Sequence, residues 1–442
     1  MQTGNATRAL AGLTATTVTI AAFAKTFVPF YLIGSTAIFT ATCALGIVLV
    51  AVSWRPVFDS AIRVTDFIVL LTLLYGVIIL SFLLHSRSSV PVTYLLGIMI
   101  FHSLFLLFGF AAARALKQVL LVLLAAAAIY ATILIYHTIR FGDVMRGNNV
   151  DDVFGIGIDA ISVVFHQNIG FMLSLGALAA MGLASNRLMR TVAICALAVT
   201  LLLSYYIAAR TALVGLVSSL SFWGFATCWA RSKKAATLGA AATMVSIAVA
   251  SSVFYQHAMN DANIAATAPD AMSRTIRELQ NPNPELRLQI WSRTWRHIVN
   301  EPNFLLFGRG VGTYPVNEGF GAPDWPIHPT EGSKHYPHNV HLEMLYESGI
   351  VGLLLYTMLT FFPLIVSLRF WHQISSAEKS IVSIYVLSLV SADISGAFAP
   401  FYDHQFFLAL TIGIIAIKRA GDVELNVTGE NFDPGHSAPV GP

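Results

Sequence analysis

The chain has 442 residues, of which 56% are apolar and only 11% are charged, against about 25% charged residues in soluble proteins. This composition excludes a soluble globular enzyme, a secreted disulfide scaffold and a disordered protein, and it indicates an all-α polytopic membrane protein. The formal net charge of +3 is too small to indicate nucleic acid as a partner.

Apolar runs suited to crossing a bilayer recur along the chain. A hydrocarbon core about 30 Å thick needs roughly 20 apolar residues in a helix. Twelve runs predict twelve transmembrane helices, at about 10–24, 28–53, 66–84, 91–111, 117–137, 166–185, 190–208, 211–230, 235–255, 349–370, 380–397 and 404–418. The first run could pass for a signal peptide, but a second follows at once, so we interpret it as an uncleaved span.

Lysine and arginine residues are shared unevenly between the two sides of this predicted membrane protein. With a cytoplasmic N-terminus, 14 of the 26 basic residues fall on the cytoplasmic side, five in short outer connections and seven in one long outer loop. Cytoplasmic connections are the ones enriched in these residues. We therefore expect both termini in the cytoplasm and the long loop outside.

The apolar runs divide the chain into four parts. Residues 1–255 hold nine spans, residues 256–348 the large outer loop, residues 349–418 three spans, and residues 419–442 a polar cytoplasmic tail that we expect to be disordered. The outer loop contains nine of the 17 prolines and six of the 13 histidines. It is therefore where polar chemistry is expected.

An amphipathic helix is predicted in the middle of the outer loop. Asn283, Pro284 and Glu285 form a helix-start signal, since Asn can cap a helix and Pro suits its first position. Leu288, Trp291, Trp295 and Ile298 then recur every three or four residues and form one apolar stripe, which favours a helix at the membrane interface. Arg287 lies at the edge of this stripe, where it is either a snorkelling surface residue or a functional one.

Two further loop motifs follow. Gly308, Gly310 and Gly312 alternate within Phe307–Tyr314, which favours a sharp structural turn, because both the Walker and the Rossmann spacings are missing. His335, His338 and His341 recur at spacings of three, but an intervening proline and the absence of HExxH disfavour a metal site.

A helix is expected to start near Asn339 and to run into the tenth span. His338 would then lie just before a helix N-terminus at the membrane face. A neutral imidazole is a suitable general base, and a helix N-terminus disfavours the imidazolium form. A capping or merely solvated histidine is the alternative.

Two ionisable residues fall inside or beside apolar runs. Arg210 joins two spans with almost no loop between them, so it lies in or near the bilayer on the outer side. Burying an arginine in a membrane costs free energy, so such a residue is interpreted by default as functional. The alternative is that its side chain snorkels to the membrane surface. Asp393 either pairs with an arginine or satisfies helix backbone, and the sequence does not decide between the two.

These motifs, in this order, resemble the O-antigen ligase and polymerase superfamily. The resemblance rests on Arg210-Thr211-Ala212 at a span start, Arg287 with Trp291, the glycine motif from Phe307 to Tyr314, and His338-Asn339 followed by Leu342-Glu343 and by Glu347, Gly349 and Gly352. His166-Gln167-Asn168 also looks like a family feature. The similarity covers roughly residues 160–405, and the long outer loop between late spans is typical of this superfamily.

The resemblance implies a bacterial inner-membrane glycosyltransferase of the GT-C kind, needing no metal or other cofactor and working at the periplasmic face among membrane lipids. It implies undecaprenyl-diphosphate-linked O-antigen as the donor. Twelve spans with one large periplasmic loop look most like the ligase branch, whose acceptor is a sugar hydroxyl of lipid A–core.

On this hypothesis Arg210 and Arg287 bind the donor diphosphate and His338 is the general base. Weaker candidates for donor contacts are Arg146, Arg309, Tyr336 and Asn339, and His335 and His341 are alternative bases.

Three other functions stay open at this point. An O-antigen polymerase uses the same donor with a lipid-linked acceptor, and a protein O-oligosaccharyltransferase uses a Ser or Thr hydroxyl. A twelve-span transporter or lipid-glycan flippase belongs to a different class. Transporters usually place ionisable residues near the bilayer midplane, whereas here they gather at one face, which favours an enzyme. The acceptor sugar, the linkage, the donor glycan and the oligomeric state are not predicted.

Overall fold

The structure is a computed structural model that describes residues 2–24, 35–141, 162–207, 209–242, 244, 252, 256, 287–319, 321, 336–396, 398 and 402–429. Over these ranges the backbone forms helices joined by turns, and it contains no β-strand. Arg146, His335 and almost half of the predicted outer loop lie outside the described residues.

The helices that build the bundle and the candidate site are labelled in chain order. They are α1 Gln2–Phe23, α2 Ser35–Val52, α3 Trp54–Ala61, α4 Thr65–Ser81, α5 Val92–Ala112, α6 Leu116–Phe141, α7 Ser162–Leu183, α8 Arg187–Tyr206, α9 Arg210–Arg231, α10 Arg287–Asn300, α11 Thr313–Asn317, α12 Val340–Phe370, α13 Ser376–Ser395 and α14 Tyr402–Gly429. Residues 233–242 are also helical.

Each of the twelve predicted spans overlaps a helix of the described ranges, in the ninth case only through residues 233–242. By length and apolar composition, five stretches within those ranges are long enough to cross a membrane: Trp54–Ser86, Val92–Tyr136, Arg187–Tyr206, Arg210–Arg231 and Val340–Phe370. The chain is therefore an α-helical membrane protein. Twelve spans and a likeness to GT-C enzymes stay predictions.

Large apolar side chains are exposed on the outside of the bundle. On α8, Leu188, Val192 and Leu202 are between 59% and 73% exposed. A soluble protein rarely exposes contiguous apolar surface of this kind, whereas in a bilayer the hydrocarbon covers it. This surface agrees with the membrane location that the composition predicts.

Helix α13 lies inside the bundle, where it packs against α7, α9 and α14. It begins with a capping box, in which Ser375 accepts from the backbone of Glu378 and the Glu378 side chain accepts from the backbone of Ser375. Nearly every side chain from Ser380 to Ala392 is buried. The other end of this helix, at Ser395, reaches the candidate site.

Helix α4 is held at both of its ends. Near its start, Asp66 accepts two hydrogen bonds of 2.8 Å from the Arg419 guanidinium of α14. At its last residue, the Ser81 hydroxyl donates to the carbonyl of Glu347 in α12 at 2.5 Å. The charged clamp and the candidate site thus lie at opposite ends of α4.

Two helix bounds differ from the sequence expectation. Helix α14 continues to Gly429, so the first part of the segment predicted as a disordered tail is helical. Arg419, Ala420, Glu424 and Leu425 are good helix formers, but Gly421, Asp422 and Val423 between them are poor ones, so local propensity alone does not account for this extension. Helix α12 is broken inside at Gly349, whose φ of 68° and ψ of −169° are not helical.

Candidate active site

The starts of α9 and α10 meet the end of α13. A terminal nitrogen of Arg287, Nη1, donates to the hydroxyl of Thr211 at 3.5 Å, a long hydrogen bond. Thr211 follows Arg210 at the start of α9, and its hydroxyl shares a 2.8 Å hydrogen bond with the Ser395 hydroxyl. Three segments that are far apart in sequence are therefore in contact, and two of them begin with an arginine of the predicted site.

Helix α10 also contacts the turn that precedes α12. The indole N–H of Trp291, one helical turn after Arg287, donates to the carbonyl of Pro337 at 2.9 Å. Pro337 is buried and is followed directly by His338. Helix α10, which begins with Arg287, therefore contacts both the start of α9, where Arg210 lies, and the segment that holds the predicted base.

His338 has a strained backbone. Its φ of 56° is the one positive value among the non-glycine residues in the described part of the chain. This left-handed region costs an ordinary residue roughly 1–2 kcal/mol, so its occupation indicates that the surroundings impose it. The ring of Tyr336 lies edge-to-face against the imidazole, with 4.7 Å between ring centroids.

Asn339 caps α12, whose start the sequence predicts near this residue. Its side-chain oxygen accepts from the backbone N–H of Leu342 at 2.7 Å, and its side-chain N–H₂ donates to the carbonyl of Asp393 at 2.9 Å. Both ends of the amide are therefore used in holding the start of α12 against α13. These contacts place Asn339 beside the site and give it a positioning role.

The Asp393 carboxylate pairs with His341, at 2.6 Å between Oδ1 and Nδ1. The sequence suggested an arginine or the helix backbone as the partner of Asp393, and it gave no sign of His341. Asp393 thus anchors the first turn of α12 twice, through its carbonyl and through its carboxylate. Thr211 and Ser395 were not singled out either, although Thr211 stands inside the Arg-Thr-Ala motif.

Tyr336 lies in a low-polarity environment beside charged groups. Burial, reinforced by the Glu343 carboxylate and opposed by the Arg287 guanidinium, raises the pKa of Tyr336 to about 12. The phenol is therefore protonated at neutral pH, and its O–H is available as a hydrogen-bond donor.

Arg309, a weaker candidate for donor contacts, lies in the segment from Leu305 to Tyr314, which we call the glycine loop. Its guanidinium pairs with Glu301, donates to the carbonyl of His297 at 3.3 Å, and lies over the rings of Phe304 and Tyr346 at 5.4 and 5.3 Å. These contacts join α10 to α12. Arg146, the other weaker arginine, lies outside the described residues.

The glycine loop repairs the break in α12. Where the helix is interrupted at Gly349, the carbonyls of Tyr346 and Glu347 accept from the backbone N–H groups of Arg309 and Gly310 at 2.9 and 3.0 Å. In return, the N–H groups of Ile350 and Val351 donate to the carbonyls of Leu305 and Leu306 at 2.8 and 3.4 Å. Four backbone groups on the two sides of the break thus find backbone partners, as buried polar groups of the backbone require.

Two buried carboxylates of α12 bind backbone N–H groups. Glu343 accepts from Phe398 at 2.8 Å, and Glu347 accepts from Tyr314 at 3.3 Å. They hold the segment after α13 and the glycine loop respectively. Sequence reasoning found both residues only as members of a motif, without a role.

Residues 192–357 match the sequence profile of the O-antigen ligase family. This match supports membership of the O-antigen ligase superfamily. No curated protein matches the chain. The matched range contains Arg210, Arg287, the glycine loop and His338, whereas Asp393 and Ser395 follow it. Membership indicates a glycosyltransferase-like membrane enzyme of O-antigen biosynthesis, with a lipid-linked glycan and a lipid acceptor as its general partners.

The Gly308→Ala variant should be less stable than wild type by about 2–4 kcal/mol. Gly308 has φ +73°, and a Cβ there would overlap the backbone of Glu347 and Ser348. Gly319 has a similar φ of +83° with open space around its Cα, so Gly319→Ala serves as the matched control. The control should lose only the conformational part, about 1 kcal/mol. Thermal unfolding in detergent measures both, and equal losses would contradict the close-packing explanation.

Glu318 holds α10 against the glycine loop. Its nearly buried carboxylate pairs with Arg293 at 2.9 Å and faces His297 at 3.6 Å. We expect Arg293→Ala to lower the free energy of unfolding by about 2 kcal/mol and Glu318→Gln to lower it by only about 1 kcal/mol. The reason is that the first variant leaves a buried carboxylate without its arginine, whereas the second leaves an exposed guanidinium in water. Chemical or thermal unfolding of both variants and of the double variant tests this order, and the reverse order would contradict it.

Proposed function

We propose that this protein is an O-antigen ligase that moves O-antigen glycan from undecaprenyl diphosphate to a sugar hydroxyl of lipid A–core. We place it in the bacterial inner membrane, with both termini cytoplasmic and its site at the periplasmic face. The observation that supports this proposal most directly is that helix α10 contacts two other segments of the candidate site. Arg287 of α10 contacts the start of α9 through Thr211, and Trp291 of the same helix contacts the peptide before His338.

The donor side of the reaction needs positive charge rather than an acid. A lipid diphosphate is already a good, anionic leaving group, and arginine offers it paired, charge-assisted hydrogen bonds. Arg210 and Arg287 are the residues proposed for this role. The charge that develops as the bond to the diphosphate breaks is stabilised by these guanidinium groups in the proposed metal-independent mechanism.

The acceptor side needs a base. In the proposed step, His338 removes the proton of the acceptor hydroxyl while the hydroxyl oxygen attacks the anomeric carbon of the glycan. The bond between that carbon and the diphosphate oxygen breaks, so the configuration inverts. The products are the glycan joined to the acceptor, undecaprenyl diphosphate and the protonated imidazole, which returns its proton to solvent.

Tyr336, Asn339 and Asp393 support the base in this proposal. The Tyr336 ring packs on the imidazole, Asn339 caps the helix that follows it, and Asp393 holds Asn339 and His341. A base that is held by such contacts loses little freedom when the acceptor binds, which is how an enzyme positions reacting groups.

Reconstitution of purified protein tests the proposal. The protein is incubated with undecaprenyl-diphosphate-linked glycan in separate reactions with lipid A–core, with a peptide containing serine and threonine, and with no added acceptor, and the products are separated by gel and identified by mass. Glycan on lipid A–core is the expected result. Extended glycan on undecaprenyl diphosphate would instead identify a polymerase, and glycan on a serine or threonine peptide a protein oligosaccharyltransferase. Movement of the lipid-linked glycan across liposomes without a covalent product would overturn the enzyme assignment.

A further inference from the structure

A chain of side-chain hydrogen bonds links Arg287 to the end of α13. Nη1 of Arg287 donates to the Thr211 hydroxyl at 3.5 Å, and the hydroxyl oxygens of Thr211 and Ser395 lie 2.8 Å apart. The three residues belong to α10, α9 and α13 respectively. The proposed function gives a role to Arg287, whereas the two hydroxyl groups have none.

The donors and acceptors in this chain determine its direction. A guanidinium group has donors only, so the Thr211 oxygen must accept from Arg287. Thr211 is buried, with 6% of the residue exposed, and the Ser395 oxygen is the one acceptor that its O–H reaches among the described residues. A buried hydroxyl without an acceptor would cost free energy. Thr211 therefore donates to Ser395, rather than the reverse.

The hydrogen of the Ser395 hydroxyl is left to donate to a ligand. The Ser395 oxygen accepts from Thr211, and the described part of the chain provides no acceptor for the O–H of Ser395 itself. Ser395 is the last residue of α13 and is only half-buried, so a ligand can contact it. The ligand atom at this position must be a hydrogen-bond acceptor, which excludes an apolar chain.

The charges around Ser395 favour an anionic ligand. Arg287 begins the hydrogen-bond chain, and Arg210 directly precedes Thr211 at the start of α9. The N-cap residue Ala209 gives the first turn of α9 no side-chain hydrogen bond, so the partial positive charge of this helix end adds to the two guanidinium groups. The C-terminal end of α13 has the opposite sign, but its partial charge is smaller than two full charges. A hydroxyl polarised by a cation through a hydrogen-bond chain is also a stronger donor.

We propose that the Ser395 hydroxyl donates a hydrogen bond to an oxygen of the donor's diphosphate, and that Thr211 is the positioning residue that directs this hydroxyl. This inference rests on the proposed function, because that function supplies the diphosphate. No covalent bond forms or breaks at either hydroxyl. The hydrogen bond from Ser395 strengthens as negative charge develops on the leaving diphosphate, so it assists the same step as the two arginines.

Binding of undecaprenyl diphosphate without glycan to the purified full-length protein tests this inference, with calorimetry in detergent to measure Kd. Ser395→Ala removes the hydroxyl and should raise Kd about tenfold, the effect of one hydrogen bond to a charged group. The matched control is Ser388→Ala on the same helix. Ser388 is buried, and its hydroxyl has no hydrogen-bond partner in the described structure, so this variant should keep the wild-type Kd.

Two variants of Thr211 test the positioning role. Thr211→Val has nearly the same shape without the hydroxyl and should raise Kd as Ser395→Ala does, whereas Thr211→Ser keeps a hydroxyl and should restore the wild-type Kd. The double variant Thr211→Val with Ser395→Ala should bind no more weakly than either single variant, because each change removes the same contact with the ligand.

Thermal unfolding of each variant separates ligand binding from a structural role. A lower unfolding temperature of Ser395→Ala with an unchanged Kd would overturn the inference, because the hydroxyl would then only join α13 to α9. A raised KM for lipid A–core with an unchanged Kd would overturn it too, since the acceptor sugar would be the partner of Ser395. If Thr211→Val fails to fold, the comparison of Ser395→Ala with Ser388→Ala still decides. The binding measurement needs no transfer, so wild-type protein that binds undecaprenyl diphosphate but transfers no glycan would contradict the proposed function separately.

Discussion

Replacing His338 by asparagine should lower the rate of glycan transfer by about 10²–10⁴-fold, the usual contribution of a general base. Asparagine is the informative substitution because it accepts the left-handed backbone conformation that His338 adopts, with φ 56°. The variant should therefore keep the wild-type unfolding temperature while it loses activity. Single-turnover transfer to lipid A–core measures the chemical step directly.

The His338→Gly variant distinguishes a role of His338 as general base from a purely structural role. His338→Gly relieves the backbone strain and should be as stable as wild type or more stable, by up to about 1 kcal/mol. Added imidazole should restore part of its transfer rate, because it can take the vacated position and accept the proton. His335→Asn and His341→Asn are the comparisons. Full activity of His338→Asn, with the loss found in one of these variants, would reassign the base.

Replacing Arg287 by lysine should lower kcat/KM for the donor by about ten- to a hundredfold. Lysine keeps the charge but loses the planar fork of donors, and a hydrogen bond to a charged group contributes about 1.5–3 kcal/mol. Arg210→Lys should lower the same quantity to a similar extent. Product inhibition by undecaprenyl diphosphate should weaken in both variants, since the leaving group presents the same diphosphate.

Arg296 provides the matched control for Arg287. It lies on the same helix, is exposed, and donates to the Ser292 carbonyl of its own helix at 3.4 Å. Arg296→Lys should leave donor kinetics unchanged. Wild-type kcat/KM in Arg287→Lys would show that Arg287 is a surface residue that only snorkels, and it would remove this residue from the proposed diphosphate site.

Local sequence signals predicted much of the scaffold. Apolar run length located the helices, and the start of α12, expected near Asn339, lies at Val340. The alternating glycines predicted a sharp turn, and Gly308, Gly310 and Gly312 all have positive φ. These features depend on neighbouring residues only, which is why they are readable in a single sequence.

Long-range partners could not be predicted in the same way. Asp393 pairs with His341 across 52 residues, and Asp66 pairs with Arg419 across 353. No local pattern distinguishes an aspartate whose partner is a histidine from one whose partner is an arginine. Glu318 was missed for the same reason, because its partners Arg293 and His297 lie 25 and 21 residues earlier in the chain.

The break in α12 was missed for a different reason. A single glycine inside an apolar run is usually tolerated within a helix, so Gly349 gave no sign of an interruption. Its non-helical conformation depends on the glycine loop, which supplies four backbone hydrogen bonds from a segment about 40 residues earlier.

The pairing of the glycine loop with the broken helix limits how such proteins can be recombined. Residues 305–310 and residues 346–351 are joined by backbone hydrogen bonds. A chimera that exchanges only one of these two segments therefore combines it with a partner segment from a different protein. An exchange intended to alter acceptor choice should therefore transplant both segments together, with Ser81 of α4, whose hydroxyl binds the carbonyl of Glu347. The smallest exchangeable unit of this region is discontinuous in sequence, and library designs that shuffle contiguous blocks would separate its parts.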